Sequence, residues 1–131
     1  VKDQINEIED NIQGYTKLRI IANRYNTSVT MKDYFRELVA NPEKLPDADL
    51  FVHTCVPSLK EMTTAYRKMS EQPVKGSETY QTLQELAEKI ELTCEKLEED
   101  YLHFQEDRIQ DSEAEMDYVT RKILEKVKGA K

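Results

Sequence analysis

The fold is decided by residues 80–104, which read YQTLQELAEKIELTCEKLEEDYLHF. An α-helix places residues spaced alternately by three and four on one stripe, and strict alternation is typical of a coiled-coil-like seam. The stretch therefore predicts one long amphipathic helix that must bury one face against other helices. The apolar residues with this spacing are Tyr80, Leu83, Ala87, Ile90, Cys94, Leu97, Tyr101 and Phe104.

Two amphipathic patterns precede the long helix. Residues 1–15 repeat apolar side chains at the same spacings and predict a first helix, in which Gly14 marks either the end or a kink. Residues 16–40 predict a second helix, and the weak helix formers at residues 26–28 allow a break in its middle. Its expected inward side chains are Leu18, Ile21, Tyr25, Val29, Phe35 and Leu38.

A third helix is predicted after the proline-containing loop at residues 41–46. We expect Asp47 to be its N-terminal cap, because a carboxylate there can accept amide hydrogens of the first turn. Pro57 lies inside this helix and should bend it, because proline has no backbone N–H. The expected seam is Val52, Cys55, Leu59, Met62, Tyr66 and Met69.

A short final helix is predicted after the long one. Asp111 and Ser112 should interrupt the long helix, because residues 112–115 form a capping box. Together the patterns predict an all-α antiparallel helical bundle of four to five helices with one long helix, in a single domain over residues 1–131. The expected buried stripe of the final helix is Met116, Val119, Ile123 and Val127.

Charge is distributed unevenly along the chain. The net charge is −7, whereas residues 78–117 carry 14 acidic and 3 basic side chains, a net charge of −11. Such a surface repels nucleic acid, which we do not expect as a partner. The acidic face is either a solvated surface or a docking face for a basic partner. In the second interpretation Glu88, Glu95 and Glu99, which lie off the seam, form the docking face.

The sequence contains no recognisable catalytic motif. Asp100 and His103 are one helical turn apart, but a second Glu-x-x-His pair, as in di-iron bundles, is missing. The chain has no glycine-rich phosphate loop, and we expect no cofactor, no metal and no catalytic residue. Cys55 and Cys94 are expected to be buried reduced thiols. Three tyrosines are candidates for an exposed interface patch: Tyr15, Tyr34 and Tyr118.

Several segments occur in an order that points to a known family. Residues 35–42 read FRELVANP, a helix that ends at a proline, and residues 51–60 read FVHTCVPSLK, with the proline inside a helix. Tyr66 follows, and residues 98–107 and 109–124 form an acidic run and a further helix. In this order the segments resemble the XpaC family, also called 5-bromo-4-chloroindolyl phosphate hydrolysis proteins.

The resemblance implies a bacterial, membrane-associated helical protein that acts in envelope or toxic-anion stress. It implies as partner a toxic-anion-resistance (TelA-like) protein or a second copy of the chain. Because the chain begins at Val1 rather than Met, we expect it to be the soluble C-terminal part of a longer protein. This part would be a cytoplasmic domain whose membrane association comes only from a segment absent here.

Three functional hypotheses follow. The first is a helical protein-interaction module, in which one amphipathic helix is accepted by a groove. The second is a phosphate-ester hydrolase, as the family label implies, although the family is not known for a defined active site. The third is a coiled-coil spacer without a specific ligand. A cluster of inward-facing His, Asp and Glu would favour the hydrolase, whereas one exposed aromatic groove would favour the module.

Overall fold

The structure, a computed structural model, describes residues 1–129, and all regular structure in that range is helical. A 3₁₀ helix, Pro42–Ala48, and a π-helical turn, Phe51–Cys55, precede the fourth α-helix. The predicted all-α fold with one long helix is confirmed. The α-helices are α1 (Lys2–Gln13), α2 (Thr16–Arg24), α3 (Thr27–Ala40), α4 (Val56–Ser70) and α5 (Ser77–Gly129).

The chain divides into two compact units, Val1–Tyr101 and Leu102–Lys131, and α5 contributes residues to both. The first unit contains four complete helices and the first half of α5, together with most of the buried apolar side chains. The described part of the second unit is helix α5 alone. The expected single domain over residues 1–131 stays a prediction.

Helices α1 and α3 of the first unit run antiparallel. Lys32 Nζ lies 3.2 Å from Glu9 Oε1, so the second half of α1 lies beside the first half of α3. Ile5, nearer the start of α1, lines the same groove as Val39, near the end of α3. In these two contacts the residue number falls along α1 while it rises along α3, so the two helices are antiparallel.

Helices α1 and α4 run parallel, because the residues that join them occur in the same order along both helices. Lys60 Nζ lies 3.6 Å from Glu7 Oε2, and Asn11 Nδ2 donates a hydrogen bond of 3.1 Å to Thr63 Oγ1 one turn further along both helices. The stretch that contains α3 thus runs opposite to both α1 and α4, which agrees with the predicted antiparallel bundle.

The second predicted helix is broken in two, as the weak helix formers allowed. Asn26 adopts a left-handed conformation with φ 52°, which interrupts the right-handed helix between α2 and α3. Its side chain donates a hydrogen bond of 3.1 Å to Glu98 Oε2 of α5. The break changes the register of the buried face, so Val29 is exposed and Phe35 half-buried, against the prediction. The buried residues of α3 are Thr27, Thr30, Met31, Tyr34 and Leu38.

Pro57 is accommodated by the π-helical turn that precedes it. The N–H of Val56 donates to the carbonyl of Phe51, five residues back, instead of four. The additional residue in this turn changes which side chains point inward, so Phe51 is buried and Val52 only half-buried. Further along α4, Thr63 is buried where Met62 was expected.

Three other predictions from the sequence are wrong. Asp47 lies inside the 3₁₀ helix and is not an N-terminal cap, because helical backbone already begins at Pro42. Helix α5 runs through Asp111 and Ser112 without a break. Residues 108–116 contain no glycine or proline, so the capping-box pattern there has no helix start to stabilise. The stripe expected to be buried is exposed at Met116, Val119, Ile123 and Val127.

Candidate functional site

The described residues contain no group of three or more His, Cys, Asp or Glu side chains that could hold a metal ion. Both imidazoles are exposed and lie near a single carboxylate of their own helix. His103 Nδ1 is 3.6 Å from Glu106, and His53 Nε2 is 3.8 Å from Asp49. The His103 and His53 side chains are 80% and 69% exposed, so neither pair lies in a closed cleft.

Asp100, the carboxylate of the predicted half-motif, binds a buried tyrosine. Tyr34 Oη donates a hydrogen bond of 2.8 Å to Asp100 Oδ2. The Tyr34 ring stacks on Phe51 with centroids 4.2 Å apart and lies 5.0 Å from the Tyr101 ring. Burial, and then the hydrogen bond to Asp100, raise the pKa of Tyr34, so the phenol stays protonated. The cluster joins α3, the π-helical turn and α5, which is a structural role.

The predicted tyrosine patch does not form. Tyr34 is completely buried, which contradicts its place in an exposed patch. Tyr15 is half-buried and packs edge-on against Tyr66, with centroids 5.6 Å apart. Tyr118 is exposed, and Lys122 Nζ lies over its ring at 5.6 Å. The sequence showed aromatic residues off the main seam, but the register shift in α3 carried Tyr34 inward.

Both cysteines are free and buried, as predicted. Burial raises the pKa of the Cys55 thiol to about 11, with a smaller contribution from the Asp100 carboxylate. Burial likewise raises the pKa of the Cys94 thiol to about 11. Because the thiolate is the nucleophilic form, these thiols are inert at neutral pH.

The acidic residues in the first half of α5 fall into two groups. One group faces α2 and α3: Glu91 pairs with Arg24 and accepts a hydrogen bond of 3.1 Å from Tyr25 Oη. Glu98 belongs to the same group because it accepts a hydrogen bond from Asn26, between α2 and α3, and Asp100 because it accepts one from Tyr34 of α3. Within the first unit, these contacts give the three carboxylates an ion-pair or hydrogen-bond partner.

The other group is the predicted docking face, Glu88, Glu95 and Glu99, and all three side chains are exposed. Leu92 lies among them on α5 and is 56% exposed. Lys96 Nζ lies 3.7 Å from Glu99 Oε2, an exposed pair of the kind that contributes little to stability. The face is thus open to solvent, and its role in docking stays a prediction.

A groove between α1 and α3 was not predicted from the sequence. It has a volume of about 470 Å³ and combines apolar and cationic side chains. Val39 is 63% exposed in it, and Phe35 is half-buried. The excess of basic residues between Lys17 and Arg36 was the signal for its charge, but the packing of α1 against α3 could not be read from spacing. The lining residues are Lys2, Ile5, Asn6, Lys32, Phe35, Arg36, Val39 and Ala40.

Two cations of this groove, Lys32 and Arg36, each lie beside an acidic side chain. Lys32 pairs with Glu9, and Arg36 Nη1 lies 3.3 Å from Asp33 Oδ1 on the same helix. The Lys32 and Arg36 side chains remain 58% and 78% exposed, so both can bind an additional anionic group. The groove therefore offers an apolar surface beside positive charge in a chain that is acidic as a whole.

No helix among the described residues is long and apolar enough to cross a membrane. The chain has no significant match among curated proteins or among solved structures. One family model, described as 5-bromo-4-chloroindolyl phosphate hydrolysis protein, matches residues 1–119. The match includes the proline-containing segments at residues 35–42 and 51–60. Because the match covers most of the chain, the chain belongs to the XpaC-like family of 5-bromo-4-chloroindolyl phosphate hydrolysis proteins.

Proposed function

We propose that this chain is a helical protein-interaction module, and that the groove between α1 and α3 accepts an acidic amphipathic helix. The observation that supports this proposal is the juxtaposition of Phe35 and Val39 with Lys2, Lys32 and Arg36. An apolar groove of this kind accepts the apolar face of a helix through anchors one turn apart. The cations at the groove then select a helix whose polar face carries carboxylates.

The partner in this proposal is a helix-rich protein of the toxic-anion-resistance (TelA-like) type. The resemblance of the sequence to its family supports this choice, together with the proposed place of the chain as a cytoplasmic domain of a membrane-anchored bacterial protein. The role would then lie in envelope or toxic-anion stress. The net charge of −7 argues against nucleic acid as an alternative partner.

The experiment compares two variants of α3 in binding to a purified TelA-like protein. Val39→Glu places a carboxylate in the groove, whereas Val29→Glu is the matched control, since Val29 is 62% exposed on the same helix outside the groove. We expect Val39→Glu to weaken binding by roughly tenfold or more and Val29→Glu to leave it unchanged. Equal affinities of the two variants would exclude the groove as the docking site.

The acidic face formed by Glu88, Glu95 and Glu99 is a second candidate for docking. Its support is that all three carboxylates are exposed and that Leu92 supplies an apolar anchor between them. A basic amphipathic helix is the complementary partner. Charge reversal of this face is tested separately below.

Hydrolysis of a phosphate ester is the alternative that the family label suggests. We expect the purified chain to show no turnover of a chromogenic phosphate ester, with or without divalent metal ions. The reason is that among residues 1–129 no metal-holding group is formed and both thiols are protonated. Metal-dependent turnover that disappears in Asp100→Ala or His103→Ala would contradict the interaction module and support the hydrolase.

A further inference from the structure

The second unit carries an apolar stripe without a cover. Every described side chain from residue 109 to residue 128 is exposed. Leu102, Ile109, Met116 and Ile123 recur at intervals of seven, and Val119 lies three residues after Met116. The a positions of a heptad repeat are therefore apolar, whereas among the d positions, Gln105, Ser112, Val119 and Lys126, Val119 is the apolar one. The stripe is a coiled-coil-like seam whose apolar centre is Met116 and Val119.

A helix with such a stripe is poorly stabilised when nothing packs against the stripe. Helices in proteins are stabilised mainly by packing of their apolar face, and the described part of this unit is a single helix. Ile109, Met116 and Ile123 are 57%, 69% and 57% exposed. A contiguous exposed stripe of large apolar residues marks a protein interface.

The charge along the same helix identifies the occupant. Residues 106–117 contain six acidic and one basic side chain, whereas residues 121–128 contain four basic and one acidic side chain. A second copy that runs in the opposite direction places each acidic segment beside a basic segment. A parallel copy would place like charges beside each other, which is destabilising.

We propose that the second unit forms an antiparallel coiled-coil dimer with a second copy of this chain. With the two-fold axis between Met116 and Val119, Met116 packs against Val119 of the second copy. In the same register Glu115 lies beside Lys122 of the second copy, and the symmetry forms this pair twice. The proposal uses a surface different from the groove and is independent of it.

Alternative antiparallel registers are less favourable. A shift by one heptad in one direction moves the axis so that Glu115 faces Glu115 of the second copy. A shift by one heptad in the other direction places Lys122 against Lys122. Like charges at these flanking positions oppose pairing, whereas opposite charges specify it. The register with attractive pairs is also the one that places Met116 and Val119 at the centre.

The first test measures the mass of the full chain by sedimentation equilibrium over about two orders of magnitude in concentration. We expect a monomer–dimer equilibrium. Met116→Gln/Val119→Gln should raise the dissociation constant by roughly tenfold or more. The matched control, Val29→Gln/Leu124→Gln, removes two apolar side chains that are 62% and 53% exposed but lie off the stripe, and it should dimerise as the wild type does.

The second test examines direction and register by exchanging charges. Glu115→Lys and Lys122→Glu alone should each weaken the dimer, and the combination Glu115→Lys/Lys122→Glu should restore it. A chain that stays monomeric throughout the concentration series would overturn the proposal, as would a dimer unaffected by Met116→Gln/Val119→Gln. Failure of the double charge exchange to restore the dimer would overturn the antiparallel register. None of these outcomes depends on the groove or its partner.

Discussion

Helix α5 contains two apolar stripes of similar spacing and opposite burial. Ala87, Ile90, Cys94 and Leu97 are at most 1% exposed, whereas Met116, Val119, Ile123 and Val127 are between 53% and 69% exposed. Spacing by three and four specifies a helix with one apolar face. It does not specify which surface covers that face. The first stripe is covered within its own unit, and for the second we propose a second copy of the chain.

The largest difference between the two stripes should appear in stability. Leu97→Ala should lower the free energy of unfolding by about 2–5 kcal/mol, because it leaves a cavity in a packed core. Ile123→Ala, measured in dilute solution, should change it by less than about 0.5 kcal/mol, because the side chain is exposed. Urea denaturation at low protein concentration measures both values.

Leu97→Ala and Ile123→Ala need a control at an exposed polar position of α5. Glu98, next to Leu97, is unsuitable, because it accepts a hydrogen bond from Asn26. Glu95→Ala is the better control, because Glu95 is exposed on the same helix. Equal losses for Leu97→Ala and Ile123→Ala would show that the two stripes do not differ in packing.

A polar residue on a buried stripe provides the next test. Asn11 of α1 is 1% exposed, donates to Thr63 and accepts a hydrogen bond of 2.8 Å from Arg67 Nη1. Asn11→Ala should cost about 1–3 kcal/mol, because buried polar groups of α4 lose their partner. Asn6→Ala is the control, since Asn6 is an exposed residue of the same helix, and it should leave the free energy of unfolding nearly unchanged. A neutral Asn11→Ala in urea denaturation would show that the network contributes nothing.

Alkaline pH should distinguish a thiol on the buried stripe from one on the exposed stripe. Burial raises the pKa of Cys94 and of Cys55 from 9.0 to about 11, so the folded state holds these protons more tightly than the unfolded state. The resulting contribution to the free energy of unfolding is complete below pH 9 and decreases as the pH rises towards 11. Urea denaturation across this range measures the decrease.

The variant Cys55→Ala/Cys94→Ala should show a smaller decrease between pH 9 and pH 11, because its core contains no thiol to ionise. Val119→Cys should add no further pH dependence, since a thiol on the exposed stripe ionises alike in both states. In dilute solution at pH 8 that added thiol should react rapidly with a disulfide reagent, while Cys55 and Cys94 stay unreactive. Fast reaction of the native thiols would contradict their burial.

The smallest effect on stability is expected for the acidic face. Glu88→Lys/Glu95→Lys/Glu99→Lys should change the free energy of unfolding by no more than about 1 kcal/mol, because exposed ion pairs contribute little. If this face docks a basic helix, the association rate should fall, and its salt dependence should weaken, because opposite charges steer encounter. Stopped-flow binding to a captured partner in a salt series measures the rate.

The matched control changes the net charge equally at other exposed positions, as Asp10→Lys/Glu43→Lys/Glu61→Lys. An association rate that falls equally in both triple variants would indicate a general effect of net charge. An unchanged rate in the first variant at every salt concentration would exclude this face, and its charge would then serve solubility.

The helices themselves were largely predictable, whereas the register of their buried faces was not. Asn26 could be identified as a weak point, but its left-handed backbone and its bond to Glu98 depend on the packing of α3 against α5. Pro57 indicated that the helix is distorted locally. The distortion is a π-helical turn, and its form depends on the packing of Phe51 against Tyr34. Local sequence signals indicate where a helix is weakened, and the surrounding contacts decide how the backbone responds.

Of the two candidate docking sites, one could be predicted from the sequence and the other could not. The exposure of Glu88, Glu95 and Glu99 followed from their position off the seam of α5. The groove that contains Phe35 and Val39 did not follow from any local pattern, because its lining residues come from two helices and are separated across the groove by at least 26 residues of chain. Side chains brought together by packing leave no periodic signal in the chain.

The sequence by itself determined that the chain is helical, that helices end near Gly14 and near residue 40, and that α5 has an apolar face along its length. These properties depend on interactions between residues three or four apart, which spacing records directly. Only the tertiary structure decided that the face is buried around Leu97 and exposed around Met116, and that Tyr34 lies inside. Burial depends on side chains that are distant in the chain, and the free energy gained by covering a stripe does not depend on which segment or copy covers it.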